Sequence, residues 1–278
     1  MKTRLLFTVT AFVALLPGIK AIAQGQPTYS LPDSYHFDYQ VTQKLDNKKN
    51  PADSCLLHFF YTTSGDYAAA RISGKTGHKE NLLVLLTRDG NAVIVDDHKK
   101  NITIISLRKL MADLSSITKW IKMDSLLAQF RQKTEGNKME SVKTGHTKAV
   151  SNYTAEEYSV SDSKGHKASV WLAKVDFPTP GDIILGSGVG NLLKMMSDRM
   201  AAHPLLLALT QPMTLITEID GGESADDRGI HMHTESISHT RTSVTTSGYQ
   251  VNNYSNMSLP EIFKAEMEKK GNSKPTRR

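Results

Sequence analysis

The sequence predicts an α+β fold built on an antiparallel sheet with two or three helices. Two observations carry that expectation. Short runs of alternating apolar and polar residues, broken by tight turn signals, fill the segments 35–106 and 147–248. Between and after them the apolar spacing changes from two to three and four, the period of a helix.

The first strand is expected over Tyr35–Leu45, where Tyr35, Phe37, Tyr39, Val41 and Leu45 alternate with Asp38, Gln40, Thr42 and Lys44. Further strands are expected over 55–63, 67–73, 82–87, 91–96 and 101–106. The intervening Ser64-Gly65-Asp66, Asp89-Gly90 and 97–100 mark the turns of a meander. Leu107, Leu110, Met111, Leu114, Ile117 and Ile121 then predict a helix over 106–120, and Asp124 caps a second that Gly136 stops. Strands resume at 147–150, 156–162 and 166–175, with Asp162-Ser163-Lys164-Gly165 as a hairpin turn. A third helix is expected over 189–202, ending before Pro204, followed by strands over 213–220, 229–238 and 240–248. A charged helix over 259–270 leads into a basic tail expected to be disordered.

The start of the chain has a different character. Lys2 and Arg4 precede an apolar run from Leu5 to Leu16, a Pro17-Gly18 break and Ala21-Ile22-Ala23, the parts of a secretory signal peptide. The run is about twelve residues, short of the roughly twenty that cross a bilayer core, so cleavage after Ala23 is expected rather than a permanent anchor. A Pro-containing linker, 24–34, follows, and 35–258 is read as one domain. No Cys lies at the cleavage point to be acylated, which makes the expected product a soluble periplasmic or secreted protein.

The formal net charge of +6 includes Lys2, Arg4 and Lys20, and no acidic residue lies in 1–23. Much of the remainder sits in 260–278, where Lys264, Lys269, Lys270, Lys274, Arg277 and Arg278 outnumber Glu261, Glu266 and Glu268. The body is near neutral and lacks the basic face that nucleic acid requires. The single Cys55 cannot form an intrachain disulfide and is read as a buried, inert thiol.

Three features in order, the leader, the aromatic opening strand, and Asn91-Ala92-Val93-Ile94-Val95-Asp96-Asp97 running through Ile102-Thr103-Ile104-Ile105 into a helix, join a fourth. That fourth is the hairpin from Tyr153-Thr154-Ala155-Glu156-Glu157-Tyr158 to Ser169-Val170-Trp171-Leu172-Ala173. Together they resemble an uncharacterised bacterial envelope family, the domain of unknown function numbered forty-four twelve, itself similar in design to lipoprotein carriers of the Lol type. The likeness spans roughly 35–248. It implies a curved sheet, a half-barrel wrapped around helices, with an apolar concavity. The family often carries a Cys two positions before Tyr158, where this chain has Glu156. It brings no established activity.

Few residues suggest chemistry. Gly186-Ser187-Gly188-Val189-Gly190 lacks the third glycine of a dinucleotide fingerprint and the Gly-Lys of a phosphate loop, so Gly186, Gly188 and Gly190 are read as a hinge. His231, His233 and Glu235, with His239 beyond, share one face of a strand by the period-two rule. That face is the wet one, because Ile230 and Met232 take the other, so the histidines are read as surface residues and no metal or cofactor is expected. Asp226-Asp227 offers carboxylates without acid and base roles, and no G-x-S-x-G elbow occurs.

The remaining signal is apolar. Phe37, Tyr39, Leu57, Phe59, Val95, Trp171 and Leu172 on strands, with Met195, Met196 and Met200 on the third helix, form either an ordinary core or a groove for a hydrophobic ligand. The functional expectation is an exported, non-enzymatic protein that shelters a lipid-like molecule. The alternatives are an interaction module with a closed core and an envelope protein as partner, or a metal-dependent hydrolase using His231, His233 and Glu235.

Overall fold

A computed structural model describes residues 28–47, 54–74, 82–110, 112–113, 140–161, 167–186, 208–221 and 230–272. Twelve strands form one sheet: β1 (Ser34–Asn47), β2 (Cys55–Tyr61), β3 (Tyr67–Gly74), β4 (Leu82–Thr87), β5 (Asn91–Asp96), β6 (Asn101–Ser106), β7 (Glu140–Val150), β8 (Tyr153–Ser161), β9 (Lys167–Lys174), β10 (Thr214–Gly221), β11 (Ile230–Thr245) and β12 (Gln250–Tyr254). Their spatial order is β12-β6-β5-β4-β3-β2-β1-β11-β10-β9-β8-β7. Neighbours are antiparallel except β12, which adds to β6 in parallel. Among the described residues, helix α1 (Pro180–Gly186) packs on β3 and β4, helix α2 (Leu259–Asn272) follows β12, residues 208–210 are helical, and a helical turn begins at Leu107, where Ser106 Oγ accepts from Lys109 N–H at 3.3 Å. Among the described residues no helix is long and apolar enough to cross a membrane.

Local chemistry explains the boundaries. Gly90 closes the β4–β5 turn with φ +79°, its N–H donating to Thr87 O at 2.9 Å, while Thr87 Oγ1 accepts from Asn91 N–H at 3.1 Å. A positive φ there is what glycine tolerates at no steric cost. At α1, Asp182 Oδ2 accepts from Thr179 N–H (2.7 Å) and Thr179 Oγ1 (3.0 Å), a capping box that also receives Met213 N–H at 2.9 Å. At α2, Glu261 Oε2 accepts from both Ser258 N–H and Ser258 Oγ at 2.7 Å.

Three apolar cores result. The first holds Tyr35, Phe37 and Phe60 with Leu83, Leu85, Val93, Val95, Ile102 and Ile104, all nearly sealed from solvent. The second gathers Tyr39, Val41, Tyr61 and Ala68 under Val175, Phe177, Ile183 and Leu215. The third pairs Val160, Val170 and Leu172 with Ala208. Adjacent residues such as Phe60 and Tyr61, or Ala69 and Ala68, belong to different cores, so the paired ends of β2 and β3 around them are buried on both faces.

Several expectations change. The segments expected as strands over 229–238 and 240–248 are one continuous strand, β11, because it follows β1 along its whole length and bulges instead of turning. An unexpected strand, β12, follows it; its Asn-rich composition hides it. The strand expected at 147 begins at Glu140, since 140–146 carry mostly polar, exposed side chains with no inward stripe to read. The run Ile183-Ile184-Leu185 ahead of the expected hinge is helical, and Gly186 ends α1. Gly188, Gly190, Met195, Met196, Met200, the leader, and the helices expected from 124 and over 189–202 lie outside the described residues, as does all but the first turns of the helix expected over 106–120.

Candidate functional site

Cross-strand register assigns each side chain to a face. One face carries Val41 opposite Phe59, Phe59 opposite Ala70, Ala70 opposite Val84, and Val84 opposite Ile94. Leu57 stands opposite Ile72 on the same face. Tyr39, Tyr61 and Ala68 continue this face upward, where Phe177 seals it: its ring stacks on Tyr39 at 4.5 Å and on Tyr61 at 5.2 Å. Below that cover the surface opens. Ile72 is 49% exposed, Leu82 37% and Val84 38%, three aliphatic side chains on neighbouring strands. Together they form an exposed apolar patch on this face.

Of the ten residues expected to line a groove, the seven that are described do not share one surface. Tyr39, Leu57 and Phe59 lie on this face. Phe37 and Val95 are shut in the first core at 1% and 0% exposure, on the far side of β2–β6. Leu172 is buried in the third core. Trp171, next to it, points the other way, half-buried beneath Lys148, whose Nζ sits 4.1 Å from the ring centroid. Cys55 is half-buried at the end of β2, and burial, aided by the Asp46 charge, pushes its thiol up, which keeps it protonated and unreactive.

The opposite face holds a polar cluster at the junction of β1, β11 and β10. Register places Asp46 opposite His231 and Lys44 opposite His233 on one side, and Glu218 opposite His233 on the other. The imidazoles of His231 and His233 stack with centroids 5.0 Å apart and planes 28° apart. His233 Nδ1 lies 3.9 Å from Asp46 Oδ2 and is buried without a hydrogen-bond partner. His231 Nε2 lies 3.6 Å from Glu218 Oε1. Lys44 pairs with Asp46 Oδ1 at 3.1 Å, and Lys148 pairs with Glu218 Oε2. A surface depression lined by Lys148, Ser151, Glu218, His231, His233 and Thr234 runs beside them.

Sequence reading found the two histidines and missed their partners, which come from other strands. Glu235 is not one of them: the register steps from Thr42↔Ser236 to Gln43↔Thr234, leaving Glu235 as the extra, exposed residue of a bulge. The same bulge reverses the alternation beyond it. His239 is therefore on the face opposite His231 and His233, its ring 4.5 Å from that of Tyr39.

No family model matches this chain, and no curated protein matches it.

Proposed function

We propose that the chain is an exported, non-enzymatic protein that shelters a hydrophobic, lipid-like ligand against the apolar face of β2–β5. The observation that carries this reading is the run of exposed aliphatics, Ile72, Leu82 and Val84, continuous with half-buried Leu57, Phe59 and Ile94. An acyl chain gains about 0.8 kcal/mol per buried methylene on such a surface. In this reading the helices expected from periodicity over 106–120, from 124 and over 189–202 cover the sheet as in the half-barrel that the resemblance implies. The leader-like segment 1–23 supports export. The experiment is native mass spectrometry with lipid extraction of protein taken from its own envelope: a co-purifying apolar molecule is expected. Repeated ligand-free preparations that also bind no fluorescent fatty acid refute it.

A second reading, an interaction module, draws on α2. Phe263 and Met267 stand four residues apart on that helix at 63% and 70% exposure, an unpaired apolar ridge beside the basic tail. Truncation after Asn256 leaves envelope fractionation unchanged if ligand shelter is the whole function, and releases the protein if the ridge and tail hold a partner.

A further inference from the structure

We propose that Asp46, His231 and His233 bind one divalent transition-metal ion of the zinc class. One ligand atom from each residue already lies within 4.8 Å of the others. Zinc bonds of about 2.0–2.1 Å at a tetrahedral angle bring ligand atoms to roughly 3.3 Å, so small side-chain rotations close the site. The strand geometry favours this. His231 and His233 are two residues apart, so both rings leave β11 on the same side, and Asp46 stands directly opposite on β1.

The polar bookkeeping favours it too. His233 Nδ1 is a buried ring nitrogen with no hydrogen-bond partner, facing the Asp46 carboxylate across a 3.9 Å gap. An orphaned buried nitrogen is unfavourable, and an ion held by it and the carboxylate gives it a partner. Asp46 can serve both neighbours, because Lys44 contacts Oδ1 and the gap lies at Oδ2. His231 Nε2 lies 3.6 Å from Glu218 Oε1, which assigns the ion to Nδ1; a carboxylate beside the second ring nitrogen is the usual support of a metal-bound histidine, and a small closure would let Glu218 accept that N–H. Lys148 holds Glu218 in place from the other side.

Two imidazoles and a carboxylate suit zinc and its transition-metal neighbours rather than calcium or magnesium, which take all-oxygen sets. Three protein ligands leave a tetrahedral ion its fourth position for water. Glu235 takes no part, so this donor set differs from the one that sequence spacing suggests.

The test uses the full chain, stripped with a chelator and titrated with Zn²⁺ against a chromophoric competitor. One equivalent is expected to bind. His231→Ala and His233→Ala are each expected to weaken binding by about 100-fold or more, Glu218→Gln by about 10-fold or more, and His239→Ala not at all. Cu²⁺ on the parent chain gives a second readout independent of any variant's folding: its paramagnetic resonance spectrum is expected to show coupling to two imidazole nitrogens. Absence of saturable Zn²⁺ binding, binding in either histidine variant as tight as the parent's, or a copper spectrum without two nitrogens each overturns the proposal.

Discussion

Phe37 and Tyr39 stand two residues apart on β1, on the same side by alternation, yet pack in different cores. Phe37 meets Phe60 at 5.5 Å in the first core, whereas Tyr39 stacks on Phe177 at 4.5 Å in the second. The register with β11 shifts between them. The extra residue of that shift lies on β11, where Thr240 and Arg241 oppose Asp38 alone, and pairing of β1 with β2 begins only at Tyr39 opposite Tyr61, so Phe37 lies beyond the β1–β2 ladder. The aromatic stripe that the sequence shows is thus divided between two interiors.

Phe177 links this division to stability. It is fully buried and touches the rings of Tyr39, Tyr61 and, edge-on at 6.3 Å, Tyr153. Phe177→Ala is expected to cost about 3–5 kcal/mol by chemical denaturation. A loss under about 1 kcal/mol would show that the second core does not depend on this plug.

Gly181→Ala tests the seat of α1. Alanine ordinarily gains about 1 kcal/mol over glycine inside a helix. Here a Cβ would lie 2.7 Å from Ala208 O and 3.0 Å from Leu209 O, backbone atoms that cannot swing aside. The variant is expected to lower the denaturation midpoint, by about 1–3 kcal/mol of overpacking; a raised midpoint contradicts the contact.

The phenols set an alkaline limit. Burial, then the hydrogen bond that its hydroxyl donates to Asp176, pushes Tyr153 up to about 12, and burial also raises Tyr35 and Tyr61. A folded pKa above the unfolded value near 10 means that stability is fully present below pH about 10 and falls as pH rises toward 12. Denaturation midpoints across pH 9–12 should decline from about pH 10, with a shallower decline in Tyr153→Phe. A flat profile would show that these phenols ionise as freely in the folded chain as in the unfolded one.

Trp171 should behave as a half-covered residue. It lies on the polar face under Lys148, so in a Trp120→Phe background acrylamide should quench it measurably. Lys148→Met should shift its emission while costing about 1 kcal/mol or less, the range of a surface cation–π contact. A fully shielded tryptophan would contradict this placement.

Most of the sheet was legible because alternation and turn residues are local signals: β4, β5 and β6 begin and end where the sequence places them. What was not legible depends on pairing. The bulge at Glu235 flips His239 to the other face, and no property of 230–245 alone reveals it; only the register with Thr42 and Gln43 does. Asp46 and Glu218 join His231 and His233 only because β1, β11 and β10 are neighbours. Helix α1 had a readable signal that the apolar run obscured: Thr179-Pro180-Gly181-Asp182 is a capping box with proline at the first helical position.

Fluorescent fatty-acid titration of the parent against Ile72→Asp and Val84→Asp tests ligand shelter most directly. Both side chains are exposed, so the substitutions are expected to leave the fold intact by circular dichroism. Saturable binding in the parent, weakened by about 10-fold or more in each variant, is the expected result, since a charge on the apolar face must be desolvated by the bound chain. Equal binding in parent and variants, or none in the parent, would contradict it.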